Sequence, residues 1–182
     1  LHSGWHSFPT RRSSDLESIL KLKELDENLL KVYEVSRLTN YCGSWIKHCG
    51  WYPDKKIRIF NKQSVKWQGE LVHETLFLPE NTQIIPLKGD LLHYSYKNTS
   101  SHLQQFDKFT TLTAQEAHKN GKKVSLFGLY FRPKWKFLKD YIFKLGFLDG
   151  YAGYQVCKLS ATATFLKYAK LKELNDNENT NK

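Results

Sequence analysis

Residues 45–76 read WIKHCGWYPDKKIRIFNKQSVKWQGELVHETL, and this stretch decides the fold class. Ile57 and Ile59 alternate with charged neighbours, which is the period of a half-buried β-strand. Glycine and proline residues interrupt the runs on either side. The pattern predicts a strand-rich block with long loops over residues 33–77, followed in residues 83–96 by two short apolar runs that a Lys-Gly-Asp segment divides.

Helical periodicity flanks this block on both sides. The predicted helices cover residues 17–31, then 99–120 with a cap at Thr99 or Ser100 and a stop at Asn120-Gly121, then a helix after Pro133, and finally 154–174, with a glycine-broken turn over 146–153. The mixture of strands and helices predicts an α/β fold class of α+β character.

Composition narrows the classes of function. The 182 residues include 28 Lys+Arg and 18 Asp+Glu, a formal charge of +10, with 40% hydrophobic and 14% aromatic residues. Such a chain buries a core, which excludes wholesale disorder. Three irregularly spaced cysteines fit a reducing compartment, and no apolar run is long enough for a transmembrane helix. The positive charge predicts a nucleic acid, an anionic membrane or a phosphorylated substrate as partner.

The two ends read differently from the middle. Residues 1–16 contain SFPTRRSSDL, which resembles the translation of a sequencing-library adapter, and we set them aside as non-native. The alternative is a natural basic arm. The chain contains no Met, which we interpret as a missing natural start. Residues 175–182 are polar throughout and predict a disordered tail.

The first candidate site is Trp51-Tyr52-Pro53-Asp54, where a carboxylate follows a rigid aromatic loop. Rings stack on the C–H faces of sugars while carboxylates accept their hydroxyl hydrogens, so the motif indicates a sugar site. The alternative is a turn in which Asp54 caps its own backbone. Arg58 follows on the predicted strand, where it binds a phosphate, pairs with Asp54 or occupies a solvated edge.

His73 and Glu74 form the second candidate site, a few residues after Trp67. A glutamate among aromatic and apolar neighbours suits a general base that deprotonates a hydroxyl. Because His-Glu dipeptides are common, the residues alone leave this role open. His93 ends a short apolar run, as a metal or phosphate ligand or as a hydrogen-bonded structural histidine.

Lysines and aromatic residues interleave throughout residues 132–174. On amphipathic helices this mixture suits the headgroup layer of an anionic bilayer. Nucleic-acid binding uses the same ingredients, and an ordinary packing face with solvated lysines is the third alternative. Cys42, His48, Cys49 and Cys157 lack the paired spacing of a zinc site.

Five motifs, taken in order, resemble one family. They are GWYPDxxxRxF (50–60), WxGxxVHExL (67–76), GxLxHYSY (89–96), RPxWxFxxxYxxxxGFLDGxxG (132–153) and FLKYAKLxEL (165–174). The set is similar to the C-terminal half of family 2 glycosyltransferases, most of all to the subgroup that includes lipopolysaccharide core β-glucosyltransferases. The resemblance covers nearly all of residues 17–174.

The resemblance implies a GT-A fold, in which a nucleotide-binding half with a metal-binding Asp-x-Asp motif precedes an acceptor-binding half. Residues 1–16 stand where that motif is expected, so the chain is expected to lack the donor site and to be inactive alone. The resemblance implies a divalent metal, Mg or Mn, in the full-length enzyme, with its main ligands outside this chain. It assigns Glu74 as the general base, His93 as a late metal or diphosphate contact, and as substrate-binding residues Trp51, Asp54, Arg58, Trp67 and His73.

The expected function is therefore that of a fragment of an inverting glycosyltransferase. It uses a nucleotide-sugar donor and a lipopolysaccharide-core or other glycolipid or glycan acceptor, as a peripheral protein on the cytoplasmic face of the plasma membrane. The expected divisions are a partial transferase domain (17–131), a basic aromatic helical region (132–174) and the tail (175–182). The alternatives are a basic nucleic-acid-binding module, which the charge distribution disfavours, and a non-catalytic peripheral membrane protein.

Overall fold

The computed structural model describes residues 30–63, 65–68 and 75–180. They fall into two compact units. The first unit contains residues 30–39 and Tyr52–Tyr94, and the second contains Asn40–Trp51 and residues 95–180. Strands dominate the first unit and helices the second, which agrees with the predicted mixed α/β class. The helix predicted over residues 17–31 lies outside the described residues as far as residue 29.

A four-stranded sheet is built on strand β1 (Lys31–Tyr41). This strand pairs with β2 (Ser44–Ile46), β3 (Asp54–Phe60) and β6 (Gln83–Tyr96). Strands β4 (Lys66–Gln68) and β5 (Thr75–Phe77) form a separate antiparallel pair. The strand-rich block predicted from the alternating pattern is thereby confirmed.

The antiparallel pairing of β1 with β3 contains one irregularity. The Cα partners on its two sides are Tyr33 with Ile59, Glu34 with Ile57, and Arg37 with Asp54. Arg58 has no partner across the ladder, so two residues of β3 occupy the space that one residue of β1 faces. This arrangement is a β-bulge, a feature that re-aims side chains and is frequent beside functional sites.

Strand β6 is longer than its sequence predicts. The two short runs expected in residues 83–96 are one continuous strand. Gly89, in the segment expected to divide them, adopts a φ of +101°. A residue without a Cβ tolerates this conformation, and the strand therefore continues through the Lys-Gly-Asp segment.

Three helices make up most of the second unit: α1 (Thr99–Lys119), α2 (Leu126–Leu138) and α3 (Gly150–Thr180). Helix α1 confirms the predicted helix, but the predicted cap at Thr99 or Ser100 is wrong. The cap is Asn98, whose Oδ1 accepts a 2.8 Å hydrogen bond from the Ser101 amide. The helix ends at Lys119 with Asn120 as its C-cap, and Gly121 follows with a φ of +67°.

Helix α2 corrects the prediction of a helix that begins after Pro133. It begins at Leu126, where the Ser125 hydroxyl accepts a hydrogen bond from the Gly128 amide at 3.1 Å. The N-cap therefore decides the start, and Pro133 lies inside the helix. A π-helical turn (Lys139–Phe143) and a 3₁₀ turn (Gly146–Asp149) then lead to α3.

Helix α3 extends beyond residue 174, so the prediction of a disordered tail from residue 175 is wrong up to Thr180. Asn175 explains the extension. Its Oδ1 lies 2.8 Å from His118 Nδ1, and its Nδ2 donates to the Lys122 carbonyl at 3.2 Å. Lys172 and Asp176 add an ion pair one turn apart. Polar contacts to the end of α1 thus replace the apolar anchor that the sequence lacks.

Two buried clusters hold the second unit together. One contains Tyr41, Ile46, Cys49, Val156 and Cys157, and the other contains Ala114, Ala117 and Leu171. The first joins the chain around β2 to α3, and the second joins α1 to α3. The small alanine side chains let the two helices approach closely.

Candidate functional site

Three of the residues assigned from the sequence lie in the first unit, on its main sheet. Asp54 begins β3, Arg58 is the bulged residue of β3, and His93 lies in β6. Trp67 lies in β4 opposite Leu76. His73 and Glu74 lie outside the described residues, so the general-base assignment stays a prediction.

Asp54 is the centre of a group of ion pairs that the sequence did not reveal. Arg37, its partner across the ladder, donates from Nε to Asp54 Oδ2 at 2.8 Å. Lys56 Nζ lies 3.0 Å from the other carboxylate oxygen. Asp54 therefore pairs with cations from both strands, and of the alternatives for Arg58 the pairing role falls to Arg37.

Arg58 lies within electrostatic reach of this group. Its pKa is lowered by burial first and then by the positive charge of Arg37, while the Asp54 carboxylate opposes the shift. Its Nη1 also donates to the Ile57 carbonyl at 3.3 Å. Arg58 is an exposed residue of β3, and its guanidinium lies within electrostatic reach of a second guanidinium, a position that favours a nearby negative charge.

His93 brings β6 into the same group. Its pKa is lowered by burial, then by the charges of Arg37 and Arg58, and Asp54 again opposes the shift. The imidazole is therefore mainly neutral at neutral pH. We call Arg37, Asp54, Lys56, Arg58 and His93 the cationic cluster.

The cationic cluster can do two kinds of chemistry. Two guanidinium groups and an ammonium group around a single carboxylate leave an excess of positive charge, which suits the oxygens of a phosphate or carboxylate. Asp54 and His93 add hydrogen-bonding groups for hydroxyls. Since side chains from three strands contribute, the sheet fixes their spacing.

Beside the cationic cluster, the Tyr52 hydroxyl donates to Asp90 Oδ1 at 3.1 Å, and this hydrogen bond raises the pKa of Tyr52. The Tyr52–Pro53 peptide bond is cis. The Tyr52–Asp90 hydrogen bond ties the aromatic loop that leads into Asp54 to strand β6.

Trp51 belongs to the second unit and packs within an aromatic group there. Its ring centroid lies 6.1 Å from that of Tyr41 and 6.3 Å from that of Tyr96. His102 completes the group, with Nδ1 3.1 Å from the Tyr41 hydroxyl. Burial raises the pKa of Tyr41 to about 12 and lowers that of His102. Trp51 is half-buried, so its packing role is visible, while its sugar-binding role stays a prediction.

A polar cluster around Asp149 was not anticipated. The carboxylate, only 5% exposed, accepts hydrogen bonds from the backbone amides of Lys47 and His48 and lies 2.8 Å from His48 Nδ1. The sequence signal for this cluster is the GFLDG segment (146–150), in which Asp149 follows the apolar pair Phe147-Leu148. Asp149 thereby fixes the loop that precedes Trp51.

The cysteines and histidines differ in their exposure. Cys49 and Cys157 are both buried, and Cys42 is exposed. Within residues 30–63, 65–68 and 75–180, no three His, Cys, Asp or Glu side chains converge to hold a metal ion. No described residue therefore supports a metal role for His93, which stays a prediction.

The second unit also exposes many apolar side chains between Leu126 and Tyr154. They are Leu126, Phe127, Tyr130, Phe131, Trp135, Leu138, Ile142, Phe143, Leu145, Phe147, Leu148, Tyr151 and Tyr154, and we call them the aromatic surface. Within the part of the chain that is described, no helix has the length and apolarity needed to cross a membrane.

Three proteins of known name are similar to this chain. A protein of Rickettsia typhi named an uncharacterized glycosyltransferase is 27% identical over 149 residues, which cover 78% of this chain and 51% of that protein. One of Rickettsia prowazekii with the same kind of name is 26% identical over the same coverage. One of Rickettsia felis is 25% identical over 66% of this chain and 45% of its own length.

The chain thus spans about half the length of the curated relatives it matches. No protein-family model matches it, and no solved structure is significantly similar. The relatives support a glycosyltransferase as the class of protein to which this chain is related.

Proposed function

We propose that this chain is the acceptor-side part of an inverting family 2 glycosyltransferase with a GT-A fold. The observation that carries the proposal is the similarity to proteins named glycosyltransferases over 78% of the chain. The five ordered motifs support it. The donor is a nucleotide sugar whose binding residues lie outside this chain, and the acceptor is a lipid-linked glycan such as a lipopolysaccharide core.

The cationic cluster is the substrate-binding element that we assign to the described residues. Asp54 accepts hydrogen bonds from sugar hydroxyls, and Arg58 contacts an anionic group of the substrate. Arg37 holds Asp54 in place through their ion pair. Trp67 offers a ring face to the sugar, and His73 orients the segment that carries the base. The sugar-binding role of Trp51, which belongs to the second unit, stays a prediction from the sequence.

Glu74 is the general base of the proposed reaction. Its carboxylate takes the proton of the acceptor hydroxyl as that oxygen bonds to the anomeric carbon of the donor. The bond from this carbon to the diphosphate breaks in the same step, so the configuration inverts and a nucleoside diphosphate leaves.

A divalent metal, Mg or Mn, is proposed for the full-length enzyme only. The described residues contain no converging set of ligands for it, so the proposal routes no step through an ion held by them. Its main ligands are assigned to the part of the enzyme outside this chain, where it would neutralise the diphosphate.

Binding measurements on this chain test the acceptor-side assignment. A lipopolysaccharide core oligosaccharide is expected to bind the 182-residue protein in calorimetric titrations, and UDP-glucose is not. Arg58→Gln is expected to weaken oligosaccharide binding by roughly tenfold, because a charge-assisted hydrogen bond is lost. Lys62→Gln removes an equal charge from an exposed turn and serves as the control. Binding of UDP-glucose without the oligosaccharide would overturn the assignment.

Turnover measurements on the full-length enzyme test the base. Glu74→Gln is expected to lower kcat by roughly a hundredfold or more while acceptor binding persists. Glu80→Gln, an exposed carboxylate nearby in sequence, is the matched control. Full activity of the Glu74→Gln enzyme would remove Glu74 from the mechanism.

A further inference from the structure

The aromatic surface concentrates exposed apolar side chains to an unusual degree. Among the described residues, most of the large apolar side chains that are exposed lie between Leu126 and Tyr154. Phe127 is 68% and Tyr151 78% exposed. Phe127 stacks on Phe131 at 4.0 Å, yet both rings remain open to solvent. A concentration of exposed apolar side chains of this kind marks a binding face.

The charges on the same segment all have one sign at the surface. Residues 126–154, all described, contain five cations: Arg132, Lys134, Lys136, Lys139 and Lys144. Their only two acids, Asp140 and Asp149, are buried, with side chains 3% and 5% exposed. Lys136 and Lys144 pair with Asp140, which leaves Arg132, Lys134 and Lys139 outside these ion pairs. The segment therefore presents apolar side chains among positive charges and no exposed carboxylate.

The remainder of the basic region predicted from sequence lacks this character. Lys170 bonds Asp107 Oδ1 at 2.6 Å and the hydroxyls of Thr110 and Thr111. Lys172 pairs with Asp176. These two lysines hold α3 to α1 or to itself, so the candidate face centres on residues 126–154, which Lys158 and Phe165 of α3 join at one groove.

A groove between α2 and α3 adds a concave element. It has a volume of about 570 Å³ and is lined by Leu129, Tyr130, Phe137, Phe165, Lys134 and Lys158. Apolar walls with two ammonium groups suit a molecule that is apolar over most of its length and anionic at one end.

We propose that the aromatic surface docks on a bilayer that contains anionic phospholipids. Its rings enter the headgroup boundary, its lysines meet lipid phosphates, and the groove takes part of one lipid. The complementarity of charge selects this occupant over an apolar protein face. The inference deepens the proposed function, whose acceptor is lipid-linked, but vesicle binding is measured without sugar transfer, so the two can fail separately.

Co-sedimentation with vesicles tests the proposal. The 182-residue protein is expected to bind vesicles made of equal parts phosphatidylcholine and phosphatidylglycerol. It is expected to bind vesicles of phosphatidylcholine alone more weakly. Its affinity for the anionic vesicles is expected to fall as the salt concentration rises. The double substitution Phe127→Ser and Phe143→Ser is expected to reduce binding by roughly tenfold or more, because two exposed rings no longer leave water. Phe77→Ser, which removes an exposed ring on β5 outside the aromatic surface, is the control.

A charge-reversal pair separates the electrostatic contribution. Lys134→Glu with Lys139→Glu is expected to reduce binding to the anionic vesicles by roughly tenfold or more and to leave binding to neutral vesicles unchanged. Lys108→Glu, on the exposed side of α1, is the control. Circular dichroism and thermal melting verify that each variant is folded.

Three results would overturn the proposal. The first is failure to bind either kind of vesicle. The second is a protein dimer in sedimentation velocity that Phe127→Ser with Phe143→Ser converts to monomer, without vesicle binding, which assigns the surface to a second copy. The third is a single-stranded oligonucleotide that binds and displaces the vesicles, which assigns it to nucleic acid.

Discussion

Asp54 and Asp149 are both hydrogen-bonded carboxylates, one in each unit, yet their surroundings differ. Asp54 is about a quarter exposed and pairs with the side chains of Arg37 and Lys56. Asp149 is almost fully buried. It accepts hydrogen bonds from two backbone amides and also contacts the His48 imidazole. The first carboxylate neutralises side chains that a ligand can reach, and the second organises a loop.

Burial and hydrogen bonding to the backbone distinguish the polar groups that stabilise the fold from those that can bind a ligand. A buried carboxylate tied to the backbone has no spare capacity for a ligand, and its loss leaves amides unpaired. A partly exposed carboxylate among excess cations contributes little to stability, because solvent screens its ion pairs. We therefore place ligand binding on the first unit's sheet and treat the Asp149 cluster as a fixed support.

The largest expected effect is the loss of Asp149. Asp149→Ala is expected to lower the free energy of unfolding by about 3 kcal/mol, because the amides of Lys47 and His48 lose their partner. Urea denaturation measures it. Asp54→Ala is the matched comparison, with an expected cost of about 1 kcal/mol or less. Equal costs at both positions would break the distinction between the two carboxylates.

The second prediction concerns how tightly the Asp149 turn packs. A Cβ at Gly153 would lie 2.0 Å from the Gly146 carbonyl oxygen and 2.8 Å from the Asp149 Cβ. Gly153→Ala is expected to destabilise the protein by about 2 kcal/mol, since backbone must move. At Gly128, another helical glycine, the nearest atoms lie 3.4 Å away on side chains. Gly128→Ala is expected to change stability by less than about 1 kcal/mol in the same thermal-melting experiment.

The parts of the fold that could be predicted from the sequence are those that depend on residues close to each other along the chain. Helix α1 was predicted to within a residue at each end, because a polar cap and the Asn120-Gly121 stop are local signals, although the cap is Asn98 and not Thr99 or Ser100. The strand alternation at Ile57 and Ile59 was equally local. Helix α3 ran past its predicted end because Asn175 bonds to residues near the end of α1, more than fifty positions away.

The cationic cluster was likewise predicted only in its local features. Asp54, Arg58 and His93 were selected by residue type and motif, and the sheet brings them together. Arg37 was missed, because its partnership with Asp54 exists only through the register of β1 and β3. The bulge at Arg58 was also invisible, since a bulge is a property of the pairing and not of one strand. Cross-strand register cannot be read from one strand's pattern.

The third prediction, smaller in size, concerns pH. The pKa values of His93 and His102 both lie below the ordinary value of 6.5, with burial as the first cause. As the pH falls, these histidines are therefore protonated in the unfolded chain before they are protonated in the folded chain. The free energy of unfolding consequently decreases as the pH falls from 6.5 towards the lower pKa values of the folded state. Urea denaturation across this range measures it, and His102→Gln is expected to reduce the slope. A slope of the opposite sign would contradict these pKa directions.

The smallest effect separates the two histidines, and with them the two units. Arg37 and Arg58 contribute to the lowered pKa of His93, whereas burial alone lowers that of His102. Added salt screens charges but does not alter burial. In NMR titrations the pKa of His93 is therefore expected to rise with salt while that of His102 stays constant. Arg58→Gln should raise the pKa of His93 at low salt and shrink its salt response, since one of the repelling charges is gone. An unchanged His93 titration in that variant would show that Arg58 lies too far from His93 to share a ligand with it.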